Sequence, residues 1–443
     1  MGSFLGVVPQ QSPGKQRSAF QGKLICFLAF VVVSLCLFGL GAEARPKLTV
    51  VMSASAVDDN ERAVSRFAAM HDVDIEIVSL PSGTLRRIEF IVTRFLGGLD
   101  MDITHITPEM AGALMKAGVA VDLQPFISKD PSLRLSDFVP AALDTYRMLT
   151  GEVYALPMDI ALRGLIANLD AINDAGLAHP NNLTPDDWNW TRFMEYARKL
   201  TRYSPSGEVE RYGIRWAPDN VDTLILQAGG YEFDHPTAPT KCGILLPQTI
   251  QALETWTSWF HPNPIATHSG SEDVASGKAA MGIHVSSHID TFVDAKLLFS
   301  WDVVRYPKGP ANNGHVETIS AFMMTSNSKN PELAWKLLSF LVTDREAALY
   351  LLRSRARPSG YIPNLEIYNR SNFVAGAPPG VDLYREMVLN PFFKAKSSFP
   401  GAADFIAKMR DLLVADAITG KRSILDIATE LDHFGAQILS ELK

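Results

Sequence analysis

The stretch Gly151-Glu-Val-Tyr-Ala-Leu-Pro157-Met-Asp159 decides how this chain is organised. It reads as a short apolar strand that stops at Pro157, and a second apolar run, Leu165–Asn168, begins a few residues later. Downstream, Thr184-Pro-Asp-Asp-Trp188 is typical of a helix start, and Phe193 and Leu200 then follow on one helical face. The order of strand, crossing, strand and helix predicts α/β architecture.

The region before this stretch alternates in the same way. Leu48–Met52 and Val73–Val78 are predicted strands, whereas Asn60–Met70 and Ile88–Leu96 have helical periodicity. Strands that alternate with helices predict a mainly parallel sheet that is covered on both faces. The alternation continues to about residue 363, after which the predicted elements are helical.

Five further motifs share the chain with the opening stretch. They are Leu99-Asp-Met-Asp102-Ile103, Ala228-Gly-Gly230, Ser276-Gly-Lys-Ala-Ala-Met281, Tyr306-Pro-Lys-Gly-Pro310 and Ser328-Lys-Asn-Pro-Glu332. In this order the set resembles the extracellular solute-binding proteins of bacterial ABC importers, in the branch associated with carbohydrates. The resemblance implies a two-lobe periplasmic-binding-protein fold, in which each lobe is a mainly parallel sheet flanked by helices and a multi-strand hinge joins the lobes.

The resemblance also implies where the lobes divide. Mapped onto this sequence, one lobe holds 45–157 and 308–357, and the other holds 160–304 and 363–443. The crossings then fall near 157–160, 304–307 and 357–363, and Pro157, Pro307 and Pro363 lie in them. Proline restricts φ, which suits a hinge that turns on few bonds.

The N-terminus predicts export. Residues 1–44 combine a basic segment, an apolar run from Leu24 to Leu40 and the small-x-small sequence Ala42-Glu-Ala44, so we expect a signal peptide that is cleaved after Ala44 and a periplasmic product. A single membrane anchor is the alternative reading of the apolar run. A lipid anchor at Cys36 fits less well, because Leu35 stands where a small residue is needed.

Charge and cysteine content exclude several classes of protein. Removing three basic residues and one acidic residue with the signal moves the net charge from −7 to −9. Such acidity argues against nucleic-acid binding, which needs clustered cations. Only Cys242 remains after cleavage, so no intrachain disulfide is possible.

Catalytic and metal-binding signatures are missing from the sequence. It contains no Gly-x-Ser-x-Gly, no phosphate-binding glycine loop and no His-Glu-x-x-His. His284 and His288 have a spacing that suits a metal on a helix, but their segment reads as a strand, where they would lie about 13 Å apart. We therefore expect no catalytic residue, no metal and no cofactor.

Sugar recognition calls for aromatic surfaces together with short polar side chains and carboxylates. Trp216 ends the predicted strand Tyr212-Gly-Ile-Arg-Trp and is the aromatic residue best placed to stack on a sugar. The alternative is that Trp216 caps a core. Trp256 belongs to a helical apolar stripe and is predicted to be core.

In the resembled family, loops at the carboxyl ends of strands contact the solute across the cleft between the lobes, as expected for open sheets. Carried over segment by segment, this implies the following ligand-binding residues: Ser53, Ser55, His105, Thr107, Asp159, Trp216, Tyr231, His284, Ser286, Ser287, Thr318 and Ser320.

Three departures from the family pattern bear on the ligand. Ala167 replaces a usual tyrosine, His284-Val-Ser-Ser-His288 replaces a glycine and an aromatic residue, and Ile319-Ser320 replaces a glycine pair. Histidines near the cleft suit a phosphorylated or acidic sugar, or a small osmolyte.

The resemblance implies a monomeric substrate-binding component that captures a sugar or sugar derivative. Its partners are expected to be ABC permease subunits and an ATP-binding subunit. The rival hypothesis is an exported carbohydrate-active enzyme, a lyase or glycosidase, that uses Asp102 and Asp159. A binding protein that reports to a membrane sensor has the same expected fold and stays open.

Overall fold

The computed structural model describes Gly2, Gly6 and residues 45–442. The predicted signal peptide therefore lies almost wholly outside the described residues. None of the helices in the described part of the chain is long and apolar enough to cross a membrane.

Twelve strands in the described residues form two six-stranded sheets. Sheet 1 has the order β12-β11-β3-β1-β2, and β4 pairs with β11. Its strands are β1 (Lys47–Ser53), β2 (Asp74–Leu80), β3 (Ile103–Ile106), β4 (Leu156–Ala161), β11 (Val316–Met324) and β12 (Lys394–Ala395).

Sheet 2 has the order β10-β5-β9-β7-β6, and β8 pairs with β7. Its strands are β5 (Arg163–Asn168), β6 (Arg202–Tyr203), β7 (Val209–Arg215), β8 (Ala266–Thr267), β9 (Ala279–Val285) and β10 (Trp301–Val304).

Both sheets contain parallel and antiparallel pairs. The expected parallel arrangement holds for β1 with β2 and β3, and for β7 with β8 and β9. By contrast, β4, β5, β10 and β11 form the antiparallel pairs β4–β11, β3–β11, β5–β9 and β5–β10, although β11 also pairs parallel with β12. These four strands carry the chain between the sheets, so they reverse the strand direction at each crossing.

Helices flank both sheets. They are α1 (Ala54–His71), α2 (Thr84–Leu96), α3 (Pro108–Lys116), α4 (Gln124–Ile127), α5 (Pro140–Asp144), α6 (Leu169–Asp174), α7 (Trp190–Leu200), α8 (Val221–Ala228), α9 (Pro247–Thr257), α10 (Ile289–Asp294), α11 (Pro331–Thr343), α12 (Arg345–Arg355), α13 (Leu383–Val388), α14 (Ala402–Leu412) and α15 (Ile424–Glu441).

Three apolar clusters hold these layers together. One surrounds sheet 2 and includes Trp216 and Phe405, so the C-terminal helices belong to that core. Another packs α1 and α11 on sheet 1 and includes Phe67 and Phe322. The third contains residues from both sheets and from the segment around Tyr384, and it joins the two lobes. The lobe boundaries in sequence stay a prediction.

Two of the crossings between the sheets meet at Arg163. Strand β4 of sheet 1 ends at Ala161, and strand β5 of sheet 2 begins at Arg163. Arg163 Nε lies 3.3 Å from a carboxylate oxygen of Glu317, at the start of β11. Its Nη2 lies 3.6 Å from Asp222. This buried guanidinium therefore ties the outgoing crossing to the returning one.

Candidate functional site

The carboxyl ends of β1 and β3 lie side by side, because these strands are parallel. Ser53 ends β1 and caps α1, where its hydroxyl accepts a hydrogen bond from the amide of Ala56 at 3.3 Å. Thr107 follows β3 and precedes α3. Ser55 is exposed, with its hydroxyl 3.3 Å from that of Ser53. The positive ends of two helix dipoles therefore point toward this edge of sheet 1.

Asp159 and Ser320 form a cross-strand pair at the same edge. Arg357 Nη1 donates hydrogen bonds to Asp159 Oδ1 at 3.1 Å and to Ser320 Oγ at 3.4 Å. Asp159 is only 1% exposed. Arg357 therefore covers this carboxylate. Its contact with a solute stays a prediction.

His105 lies beside this ion pair. Its ring is 5% exposed and contacts the ring edge of Phe322, the residue opposite it in the sheet. Burial lowers the pKa of His105 to about 4, so the ring is neutral at physiological pH. Among the described residues, His105 Nδ1 and Arg357 Nε have no hydrogen-bond partner.

The facing edge of sheet 2 carries a second polar group. Arg215 ends β7 and donates a hydrogen bond from Nη1 to the carbonyl of Ile283 at 2.8 Å. His284 is 5% exposed, and burial together with the charge of Arg215 lowers its pKa to about 3. Arg215 Nε, His284 Nε2 and Ser286 Oγ all lack a hydrogen-bond partner within the described chain.

The two edges meet at the first crossing. The amide of Ser286 donates a hydrogen bond to the carbonyl of Leu162 at 2.7 Å, three residues beyond Asp159. Helix α12, which precedes Arg357, packs against the turn Ser286–His288. Polar groups from both lobes are thus brought to the same part of the interface, as the strand-end rule for open sheets predicts.

A cavity of about 410 Å³ lies between elements of both sheets. One wall comes from α5, β11 and β12, and the other comes from the loop after β7, from the loop around Tyr231 and from α14. The ring of Tyr231 lies against Gly243, where a Cβ would come within 2.4 Å of the ring. Of the residues predicted from sequence, only Tyr231 lines this cavity.

Eight charged side chains line the cavity together with apolar and neutral polar residues. The charged ones are Asp144, Asp219, Asp222, Glu232, Asp234, Lys394, Lys396 and Arg410. Asp219 lies 3.9 Å from Arg410, and Asp222 lies 4.0 Å from Lys396. Burial, reinforced by the charge of Asp222 and opposed by that of Lys396, raises the pKa of Glu232 to about 7. The wall offers hydrogen-bond acceptors and donors around one tyrosine ring.

Trp216 does not offer a stacking surface in this structure. The side chain is 0% exposed, its ring packs edge-on against Trp259 at 5.5 Å, and its Nε1 donates to the carbonyl of Asn220 at 3.0 Å. The turn after β7 folds back over the indole, so the strand end points into the core of sheet 2. Trp216 is therefore a core residue, which is the alternative that the sequence left open.

The remaining predicted residues have mixed surroundings. Thr318 pairs with Ala161 and is half-buried, and Ser287 is half-buried in the turn after β9. The rings of His284 and His288 are 6.0 Å apart, closer than a continuous strand would allow, because the strand ends at Val285. Even so, the described residues contain no group of three or more potential ligands that could hold a metal.

Neither carboxylate of the enzyme hypothesis is free for acid–base chemistry. Asp102 accepts a hydrogen bond from the amide of Thr49 at 2.7 Å and another from the hydroxyl of Ser328. Asp159 is ion-paired with Arg357. Both carboxylates therefore serve the packing of sheet 1.

Several site residues were missed from the sequence. Asp219 and Asp222 follow the strand that ends at Arg215, so the strand-end rule applied to the whole loop would have found them. Arg357 lies in the crossing predicted at 357–363, where the sequence indicated a hinge and gave no sign of a binding residue. Lys396 and Arg410 come from distant segments and left no local signal.

The comparisons with known proteins agree with this architecture. A galactooligosaccharide-binding protein of Bacillus subtilis is 22% identical over 348 residues, covering 73% of this chain and 77% of that protein. A binding protein of Brucella abortus is 22% identical over 299 residues, covering 63% and 69%. An ABC substrate-binding protein of Listeria monocytogenes, solved with cycloalternan, superposes with a TM-score of 0.72 at 18% identity, covering 90% of this chain and all of that one.

The family comparison covers more than half of the 443 residues. The model of the bacterial extracellular solute-binding proteins matches residues 54–348. This range includes β2 to β11, and thus both crossings that meet at Arg163. The chain belongs to the family of bacterial extracellular solute-binding proteins.

Proposed function

We propose that this protein captures a sugar or sugar derivative between its lobes and delivers it to a membrane permease that works with an ATP-hydrolysing subunit. The observation that carries the proposal is the cavity of about 410 Å³, whose walls come from both sheets. Its volume falls in the usual range for small-molecule sites, about 300–1,000 Å³. Separation of the lobes would open such a site, and closure would bury the solute.

The chemistry of the cavity wall fits a polyhydroxylated solute. Sugar hydroxyls both donate and accept hydrogen bonds, and the wall presents carboxylates as acceptors and Lys396 and Arg410 as donors. The ring of Tyr231 supplies an apolar face for the C–H surface of a sugar ring. A wholly apolar solute would remove water from these charged groups and offer them no hydrogen bonds in return.

The relatives support the same class of solute. One relative is named a galactooligosaccharide-binding protein, and the Listeria protein was solved in complex with cycloalternan. By extension we propose a monomer that acts in the periplasm after removal of residues 1–44. The enzyme alternative has no support in a family of binding proteins.

The test is a titration of residues 45–443 with a panel of mono- and oligosaccharides, followed by thermal shift and tryptophan fluorescence. A solute that binds only the folded state raises the melting temperature. Tyr231→Ala is expected to weaken binding about tenfold, through loss of stacking and apolar contact. Tyr203→Ala is the matched control, because Tyr203 is 43% exposed on the edge strand β6.

Two results would count against the proposal. The first is a panel in which no sugar stabilises the protein. The second is a sugar that binds Tyr231→Ala and wild type with equal affinity, which would move the site away from the cavity.

A further inference from the structure

We propose that the facing edges of the two sheets, at Arg215 and Arg357, bind an anionic group, a phosphate, sulfate or carboxylate, carried by the captured solute. This inference rests on the proposed function and narrows it to acidic sugar derivatives. It concerns the polar groups at the strand ends, none of which lines the cavity described above.

Arg215 is the central observation. Its side chain is partly buried, and no carboxylate of the described chain lies within ion-pair distance of it. The charges of Asp273 and Asp219 act on it only from further away. Nη1 is used by the carbonyl of Ile283, but Nε has no partner. A guanidinium withdrawn from water without a counter-charge is a site prepared for an anion.

Two more buried polar side chains lie in or directly after β9, the strand that pairs with β7. His284 is 5% exposed and Ser286 is 0% exposed, and Nε2 and Oγ respectively have no partner. Buried polar atoms in native proteins almost always have one. Three unsatisfied polar atoms at the ends of the paired strands β7 and β9 are therefore best explained by a bound group that supplies oxygen acceptors.

The opposite edge contributes a matching set. Arg357 Nε and His105 Nδ1 are also without partners, and the positive end of α1 opens there. Asp159 neutralises one guanidinium, which leaves the other uncompensated. Two guanidinium groups therefore lie at these edges with one carboxylate, Asp159, in direct contact, while Asp273 and Asp219 act on Arg215 from further away. The guanidinium groups would repel a cation. A neutral hydroxyl would give Arg215 a hydrogen-bond acceptor but no negative charge.

The site is reachable from solvent at one side. His288 is exposed and Ser287 is half-exposed, directly beside the buried His284 and Ser286. The hydrogen bond from Ser286 N to Leu162 O extends the pairing of β5 with β9 up to the first crossing. Separation of the lobes would admit the anion, and closure would bury it between Arg215 and Arg357.

The experiment uses inorganic phosphate as the probe, so it does not depend on knowing the sugar. Thermal shift is recorded in sodium phosphate and in sodium chloride of equal ionic strength, for wild type, Arg215→Gln and Arg211→Gln. Arg211 is the matched control, since it lies on the same strand but donates to the carbonyl of Leu200 at the far end. Phosphate also stabilises proteins non-specifically, and that effect is common to all three.

The expected result is an extra stabilisation by phosphate in wild type and Arg211→Gln that is lost in Arg215→Gln. Phosphate affinity should fall about ten- to a hundredfold in Arg215→Gln, as for the loss of a charge-assisted hydrogen bond. Equal stabilisation of all three proteins would overturn the inference. Should Arg215→Gln fold poorly, Arg215→Lys is the alternative variant, which keeps the charge and is expected to retain part of the stabilisation by phosphate. If phosphate stabilises wild type no more than chloride does, the inference is overturned without any variant.

A second readout is the titration of His284 by NMR. The groups that act on its charge are Arg215, Asp273 and His288. A bound phosphate adds a negative charge, so the pKa of His284 should rise on phosphate addition in wild type and stay unchanged in Arg215→Gln. An unchanged His284 titration in wild type would contradict an anion at this edge.

A sugar panel separates this inference from the function on which it rests. Glucose, glucose 6-phosphate, and glucose with free phosphate distinguish a phosphate on the sugar from a free anion. Binding of neutral sugars without phosphate discrimination would retain the proposed function and reject the anion site. Binding of free phosphate with no response to any sugar would do the reverse.

Discussion

Trp216 shows that a residue at a strand end can belong entirely to the core. Its indole lies among Phe193, Trp259 and Tyr306 and is closed off by the turn at Asn220. Trp216→Ala should reduce the free energy of unfolding by about 3–5 kcal/mol, because it leaves a large buried void. Urea unfolding followed by circular dichroism measures this loss. A variant with unchanged stability and weakened solute binding would instead restore the stacking role.

Asp159 is expected to stabilise the folded protein through its ion pair with Arg357. Asp159→Ala leaves the guanidinium of Arg357 without its carboxylate partner at a site that is mostly shielded from water. The expected loss is about 3 kcal/mol in the free energy of unfolding. Asp159→Asn keeps an acceptor and is the control, with a smaller loss. Equal stability of all three proteins would show that the pair contributes nothing.

Glu232 gives the cavity a measurable pH dependence. Because its pKa is raised to about 7, the folded protein holds this proton more tightly than the unfolded chain does. Its contribution is therefore most favourable at low pH and is lost as the pH rises toward and through 7. Glu232→Gln removes that loss, so the variant should exceed wild type in melting temperature at pH 8 and approach it at pH 5. Glu208→Gln, at an exposed position, should show no such difference.

At the scale of elements, α3 provides a contact between the lobes. Gly112 lies so close to the segment after β12 that an added Cβ would come within 2.4 Å of the backbone of Phe399 and Pro400. Gly112→Ala must therefore push α3 away from that segment. We expect a loss of about 1–3 kcal/mol in the free energy of unfolding, which exceeds the gain in helix propensity.

The control for this prediction is Gly270→Ala, since no atom lies within 4 Å of a Cβ at that position. Both variants are compared by urea unfolding. If Gly112→Ala is as stable as Gly270→Ala, the segment from Ser398 to Pro400 must shift without cost, and the contact does not hold the lobes together.

For the whole molecule, the proposed mechanism predicts that the protein becomes more compact when it binds a solute. The lobes are joined by a few strand crossings, and Pro157, Pro307 and Pro363 mark the predicted hinge segments. Saturating solute should therefore decrease the radius of gyration measured by small-angle scattering. An unchanged radius at saturation would indicate a cleft with a single conformation.

Much of the fold could be predicted from local patterns. Apolar runs and helical periodicity identified β1, α1, β2 and α2. The strand expected at Val153–Leu156 was misplaced, because β4 spans Leu156–Ala161 and runs through Pro157. The mixed direction of the sheets was not predicted, because strand direction depends on which strands become neighbours. Pairings such as β4 with β11 join residues that are about 160 positions apart in sequence and have no local signature.

The sequence by itself determined the family, the α/β layers and the segments whose strand ends reach the interface, because these depend on short-range periodicity and motif order. Only the tertiary structure decided what each side chain does there. It buried Trp216, paired Asp159 with Arg357, and brought Lys396 and Arg410 to the cavity. Burial and pairing depend on groups that arrive from distant parts of the chain, so no local pattern could encode them.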